Sequence, residues 1–110
     1  MAFKIVSDPQ FTTKIRVAVP VTNGHTDQNM IATFRVLTTD KVAEFDLNSN
    51  EGSNDFLRAV IVRLDDIEGE DGQPASWNDE LRDQLIVIPY VRAALSRGYF
   101  EGVVKARSGN

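Results

Sequence analysis

Residues 65–83 hold Asp65, Asp66, Glu68, Glu70, Asp71, Asp79, Glu80 and Asp83, with Arg82 as the lone cation among them. Carboxylates so crowded could bind a hard cation, and from Asp66 the run begins like a helix-loop-helix calcium loop. That loop needs glycine at its sixth position for the turn and glutamate at its twelfth as a bidentate ligand. Here those positions hold Asp71 and Trp77, so the run reads as a solvated turn. His25, the single histidine, stands beside Thr26 and Asp27, yet nothing marks the activated nucleophile or the oxyanion hole that hydrolytic chemistry requires. It reads as a loop histidine. The chain has no cysteine, which removes thiolate chemistry and Cys-based zinc sites. A phosphate-cradling glycine loop, a Walker lysine and a dinucleotide fingerprint are absent too. The sequence predicts a protein that is not an enzyme and uses no cofactor and no metal.

Binding residues are the alternative. Trp77, Tyr90, Tyr99 and Phe100 could anchor a partner, since aromatic side chains bring large contact areas. Trp77 directly before Asn78 fits a hydrophobic staple onto a helix, and Tyr90 fits between helices, so both are expected in the core. Tyr99 and Phe100 are open to either role. Around them the charge changes sign: Arg92, Arg97, Lys105 and Arg107 face only Glu101. A net charge of −4 without a dense basic run makes nucleic acid a poor partner, because phosphate neutralisation supplies most of that affinity. No apolar run reaches the roughly 18 residues of a membrane span, and the first residues lack the order of a signal peptide. A soluble, cytoplasmic protein is expected.

Alternation and periodicity define the elements that would carry these side chains. Phe11, Thr13, Ile15, Val17 and Val19 alternate with Thr12, Lys14, Arg16 and Ala18, the pattern of a half-buried strand. Pro20 closes it, and the polar stretch Thr22–Asn29 reads as a loop longer than a tight two-residue turn. Met30 to Leu37 alternates again, which predicts an antiparallel hairpin over residues 11–37. A lone hairpin hides neither its apolar face nor its edges. It must lie on helices, gain a third strand from the Phe3 region, or pair with another subunit. Lys14, Arg16 and Arg35 on its outer face could steer an acidic partner, though isolated surface cations ordinarily serve solubility.

Helical periodicity follows. Thr38 starts a short helix, and Ser53 or Asn54 caps a second whose Phe56, Leu57, Val60, Ile61 and Leu64 form one stripe. Gly69, Gly72 and Pro74 end it. Asn78 caps a third helix with Leu81 and Leu85, and Pro89 opens a fourth lined by Val91, Ala94, Leu95, Gly98, Gly102 and Val103. The two glycines imply either a loosened last turn or close approach of another backbone, from a helix of the same chain or from a second subunit. The fold class is α+β: one domain over residues 1–110, with the hairpin at 11–37 and a helical part at 39–107. At 110 residues with 42% hydrophobic and 25% charged content, it can bury roughly two-thirds of its unfolded surface.

The order of these features resembles the tail assembly chaperone family of long-tailed, siphovirus-type bacteriophages. The paired segments Phe11-Thr-Thr-Lys-Ile-Arg-Val-Ala-Val-Pro20 and Ile31-Ala-Thr-Phe-Arg-Val-Leu37 carry part of the resemblance. More lies in Asp55-Phe-Leu-Arg-Ala-Val-Ile-Val62, Asp71-Gly72-x-Pro74, Ile88-Pro-Tyr-Val-Arg-Ala-Ala-Leu95, Tyr99-Phe-Glu and the basic tail ending at Asn110. Arg63-Leu64 stands where members often have Gly-Trp. The resemblance implies a non-enzymatic assembly factor of the host cell cytoplasm. Such a factor binds the tape measure protein, helps recruit the tail tube protein and is absent from the mature virion. A structural tail or neck component retained in the particle is the alternative. A homo-oligomer formed through the hairpin edge is expected, with Arg97, Tyr99, Phe100, Lys105 and Arg107 of the last helix holding an amphipathic client helix.

Overall fold

The computed structural model describes residues 1–104. Alternation at period two yields β1 (Gln10–Val21) and β2 (Gly24–Arg35), paired antiparallel from Gln10 opposite Arg35 to Val21 opposite Gly24. The expected long loop is instead a tight connection of Thr22 and Asn23. Gly24, at φ 140°, takes the backbone conformation that L side chains disfavour, and the polar residues 25–29 continue as strand because solvent can surround a projecting ribbon.

Helix α1 (Thr39–Val42) is one turn, and the Thr38 side chain makes no capping bond. Helix α2 (Asn50–Val60) begins earlier than the sequence suggests: Ser49, rather than Ser53 or Asn54, is its N-cap, accepting from the Gly52 N–H at 2.9 Å. It also stops earlier. Ile61 ends the helix and is at once the first residue of β3 (Ile61–Asp65), which pairs antiparallel with β2 to give the sheet order β1-β2-β3. The third strand thus comes from within the expected second helix and not from the Phe3 region.

A bulge explains why this strand looks helical in sequence. Ile61 stands opposite Phe34 and Leu64 opposite Ala32, while Arg63 stands opposite Thr33, so Val62 is the extra residue. Two residues three apart therefore face the same side of a sheet, imitating the i, i+3 spacing of a helix. The β-branched run Val60-Ile61-Val62 prefers the pleated surface, and the open edge of β2 supplies the pairing.

Helices α3 (Asp79–Ile86) and α4 (Pro89–Val103) complete the α+β fold. Asn78 Oδ1 caps α3 by accepting from the Leu81 N–H at 2.7 Å, and Pro89 opens α4 where a missing N–H costs nothing. The core joins the inner faces of the sheet and helices through Ile15, Ala32, Phe34, Phe56, Leu57, Val60, Leu64, Ile86 and Leu95. Helix α4 lies on β1, and its two glycines are the notches that allow it. A Cβ on Gly98 would strike Ile15 and one on Gly102 would strike Phe11. Their close neighbour is a strand of the same chain, not a helix or a second subunit.

Polar ties join the helices at their solvent side. Arg92 donates to Asn50 at 2.9 Å and to Asn54 at 3.3 Å, binding α4 to the start of α2. Arg58 reaches Asp83 at 3.1 Å, binding α2 to α3.

Candidate protein-binding groove

The expected binding helix divides into unlike parts. Tyr99 is 1% exposed and sits among Phe11, Phe34, Phe56 and Phe100 at ring distances of 5.1–6.2 Å. Its hydroxyl accepts from the Leu37 N–H at 3.1 Å, satisfying a backbone donor just past β2. Tyr99 is therefore a core residue and not a surface anchor. Phe100 stacks flat on Phe56 with centroids 5.5 Å apart and keeps one face exposed. Arg97 is exposed on α4. Lys105 and Arg107 lie outside the described residues. The three described residues, Arg97, Tyr99 and Phe100, do not make one patch, because consecutive positions on a helix diverge by about 100° and the apolar stripe takes Tyr99 inward.

A different place has the geometry of a binding site. At Asp65 strand β3 leaves the sheet, and Asp66 turns the chain away with φ 62°, a left-handed conformation in which aspartate is several-fold enriched. Strand β2, however, runs on to Gly24. Its pairing with β3 covers only Ile31–Phe34, so residues 24–30 have no strand on that side. Where β3 would have continued there is a groove of about 710 Å³.

The groove has an apolar floor and a polar mouth. Val17 and Val19 of β1, Met30 of β2, Leu85 of α3 and Ile88 and Val91 at the start of α4 form the floor. Asp27, Asp66 and Glu68 stand at the rim with Gln28 and Asn29, and none of the three carboxylates bonds to an arginine or lysine among the described residues. Tyr90, expected in the core, is 38% exposed and lines the groove instead, because it follows Pro89 in the first turn of α4 where the sheet no longer covers the helix. Trp77 packs partly buried against the core as expected.

Four other acidic residues of the run, Asp65, Asp71, Asp79 and Asp83, are engaged locally. Asp65 accepts from Arg63 at 2.7 Å, and Asp71 accepts from the Gln73 N–H at 2.9 Å to tighten the turn. Asp83 receives Arg82 and Arg58 together, which holds its carboxyl below the ordinary carboxylate value. Among the described residues no three His, Cys, Asp or Glu side chains gather closely enough to hold a metal ion. His25 Nε2 lies 3.8 Å from Asp27 near the exposed hairpin tip. Thr26, between them in sequence, points to the opposite face of β2 by strand alternation.

The groove escaped the sequence because its floor is assembled from four elements and its opening depends on where β3 stops. The signal present was indirect: an acidic stretch directly after the strand, and Val17 and Val19 continuing the apolar alternation beyond the sheet's cover. No helix among the described residues is long and apolar enough to cross a membrane. No protein-family model matches the chain, and no curated protein or solved structure matches it either.

Proposed function

We propose that this protein is a tail assembly chaperone of a long-tailed bacteriophage, binding the tape measure protein and helping to recruit the tail tube protein without catalysing a reaction. The resemblance in the hairpin and in the segments at 55–62, 88–95 and 99–101 supplies the family. The observation that carries the binding role is the open groove beside β2. It offers an apolar floor, an unpaired strand edge and carboxylates that bond to no arginine or lysine among the described residues in one place. A groove of this kind suits an apolar protein segment flanked by lysine or arginine, with burial giving affinity and rim charge giving specificity. The client is released before the tail is complete, so the protein acts in the host cytoplasm and stays out of the virion.

Co-expression with the tape measure protein of the same genome tests the reading. The wild type is expected to retain that protein in solution and in a pull-down. Val19→Asp, which places a charge on the groove floor, is expected to reduce capture at least tenfold with an unchanged circular dichroism spectrum. Undiminished capture would remove the groove from the binding site. Mass spectrometry of purified particles addresses the alternative role, since stoichiometric presence would make the protein a retained tail component.

A further inference from the structure

We infer that the groove beside β2 receives the N-terminal arm, residues 1–6, of a second copy of this chain, so that two copies exchange arms. The arm is exposed along its whole length, with Phe3 at 91% and Ile5 at 85%. Two such side chains in water are unusual unless something covers them. Their spacing is that of a strand: Phe3 and Ile5 fall on one face and Lys4 on the other.

The groove supplies what this segment lacks. Residues 24–30 of β2 are open on the side that β3 has left, and main-chain pairing there with alternate side chains entering a pocket is strand addition. Phe3 and Ile5 would lie beside Gln28 and Met30 of β2, with Val17 and Val19 one strand further along the floor. Lys4, the arm's single charged side chain, would lie on the outer face with Asp27, and opposite charges on adjacent strands are favourable.

Reach excludes the arm of the same chain. Its root is fixed at the far end of the sheet: Asp8 accepts from Arg35 at 3.1 Å and the Pro9 carbonyl accepts from the Val36 N–H at 2.8 Å. From Asp8, held on Arg35, back to Ile5 the chain spans at most about 11 Å. From Gln10 along β1 to Ile15, which faces Met30 at the near end of the groove, is about 17 Å. A second copy has no such limit, and mutual exchange gives a closed, two-fold pair.

The absence of cysteine makes the test clean. Differently tagged Ile5→Cys and Gln28→Cys chains, mixed under mild oxidation, should form a disulfide-linked heterodimer, since Gln28 is on the inner face of β2 next to the added strand. Ile5→Cys with Thr12→Cys, on the outer face, should give at least tenfold less. Equal yields, or no cross-link, would overturn the proposal. In sedimentation the full chain should be a dimer and the chain lacking residues 1–6 a monomer with the same circular dichroism spectrum; equal masses would overturn it as well. The arm and the client would compete for one groove, so the discriminating sample is the chain lacking residues 1–6, whose groove is open: its failure to capture the tape measure protein would remove the chaperone reading and leave the exchange standing.

Discussion

The two ends of one hairpin meet different fates. From Phe11 to Ile15 strand β1 lies under α4, and Ile31–Phe34 of β2, which face Lys14 to Phe11, have β3 on their other side. Beyond Val17 the same strands, with the same alternation, project past the third strand, and residues 24–29 are exposed. What separates a core from an open groove here is the cover placed on a strand's face and edge. Val19 and Ile15 occupy equivalent positions on the inner face, but Ile15 has a glycine notch above it and Val19 has an open groove.

Substitutions at the covered end should cost most. Tyr99→Ser removes the centre of the aromatic cluster and leaves the Leu37 N–H without its acceptor. The expected loss is about 3–5 kcal/mol, the range for deleting a large buried aromatic, measured by urea unfolding. A smaller loss would mean that Phe100 and Phe11 collapse into the space. Gly102→Val drives a side chain into Phe11 and should cost about 1–3 kcal/mol by overpacking. Paired with Phe11→Ala it should recover part of that loss, and a double variant no better than the sum of the two singles would show that the notch does not set the helix position.

At the open end stability should hardly respond. Val19→Ser is expected to cost under about 1 kcal/mol, since the residue is only half-buried, while weakening client capture. An equal loss at Ile15→Ser and Val19→Ser would erase the distinction between the two halves. The smallest effect concerns acid. Hydrogen bonds from Arg82 and then Arg58 lower the folded-state pKa of Asp83, so their stabilisation is fully present above the ordinary carboxylate range of about 4 and is lost as pH falls through the folded value. Asp83→Asn should be slightly less stable than wild type at neutral pH, with the gap closing in acid melts. A gap of constant size would place its cause in packing.

Much of the fold was legible because local rules and tertiary cover agree. Strand β1, the caps at Asn78 and Pro89, and the stripe Val91, Ala94 and Leu95 follow directly from alternation, capping chemistry and helical spacing. The third strand was hidden because the bulge at Val62 gives Ile61 and Leu64 a helical interval, and only the vacant edge of β2 decides between the two readings. The site was less legible than the fold. Tyr99 and Phe100 are neighbours of similar chemistry, and which one turns inward depends on the side of α4 that meets β1. The groove needed knowledge of where β3 departs, a matter of one backbone angle at Asp66.

The notches at Gly98 and Gly102 also tie the order of folding to the order of synthesis. Phe11 and Ile15 leave the ribosome early, and the glycines that seat against them follow after most of the sequence has been made. Contacts between such distant residues form slowly and only after the intervening chain is available. During elongation the long hairpin therefore waits with its inner face open, first for β3 and finally for α4. Helix α4, translated after the other described elements, is the one that closes the core, and a nascent chain of this design is itself, for a time, an aggregation-prone apolar surface in need of protection.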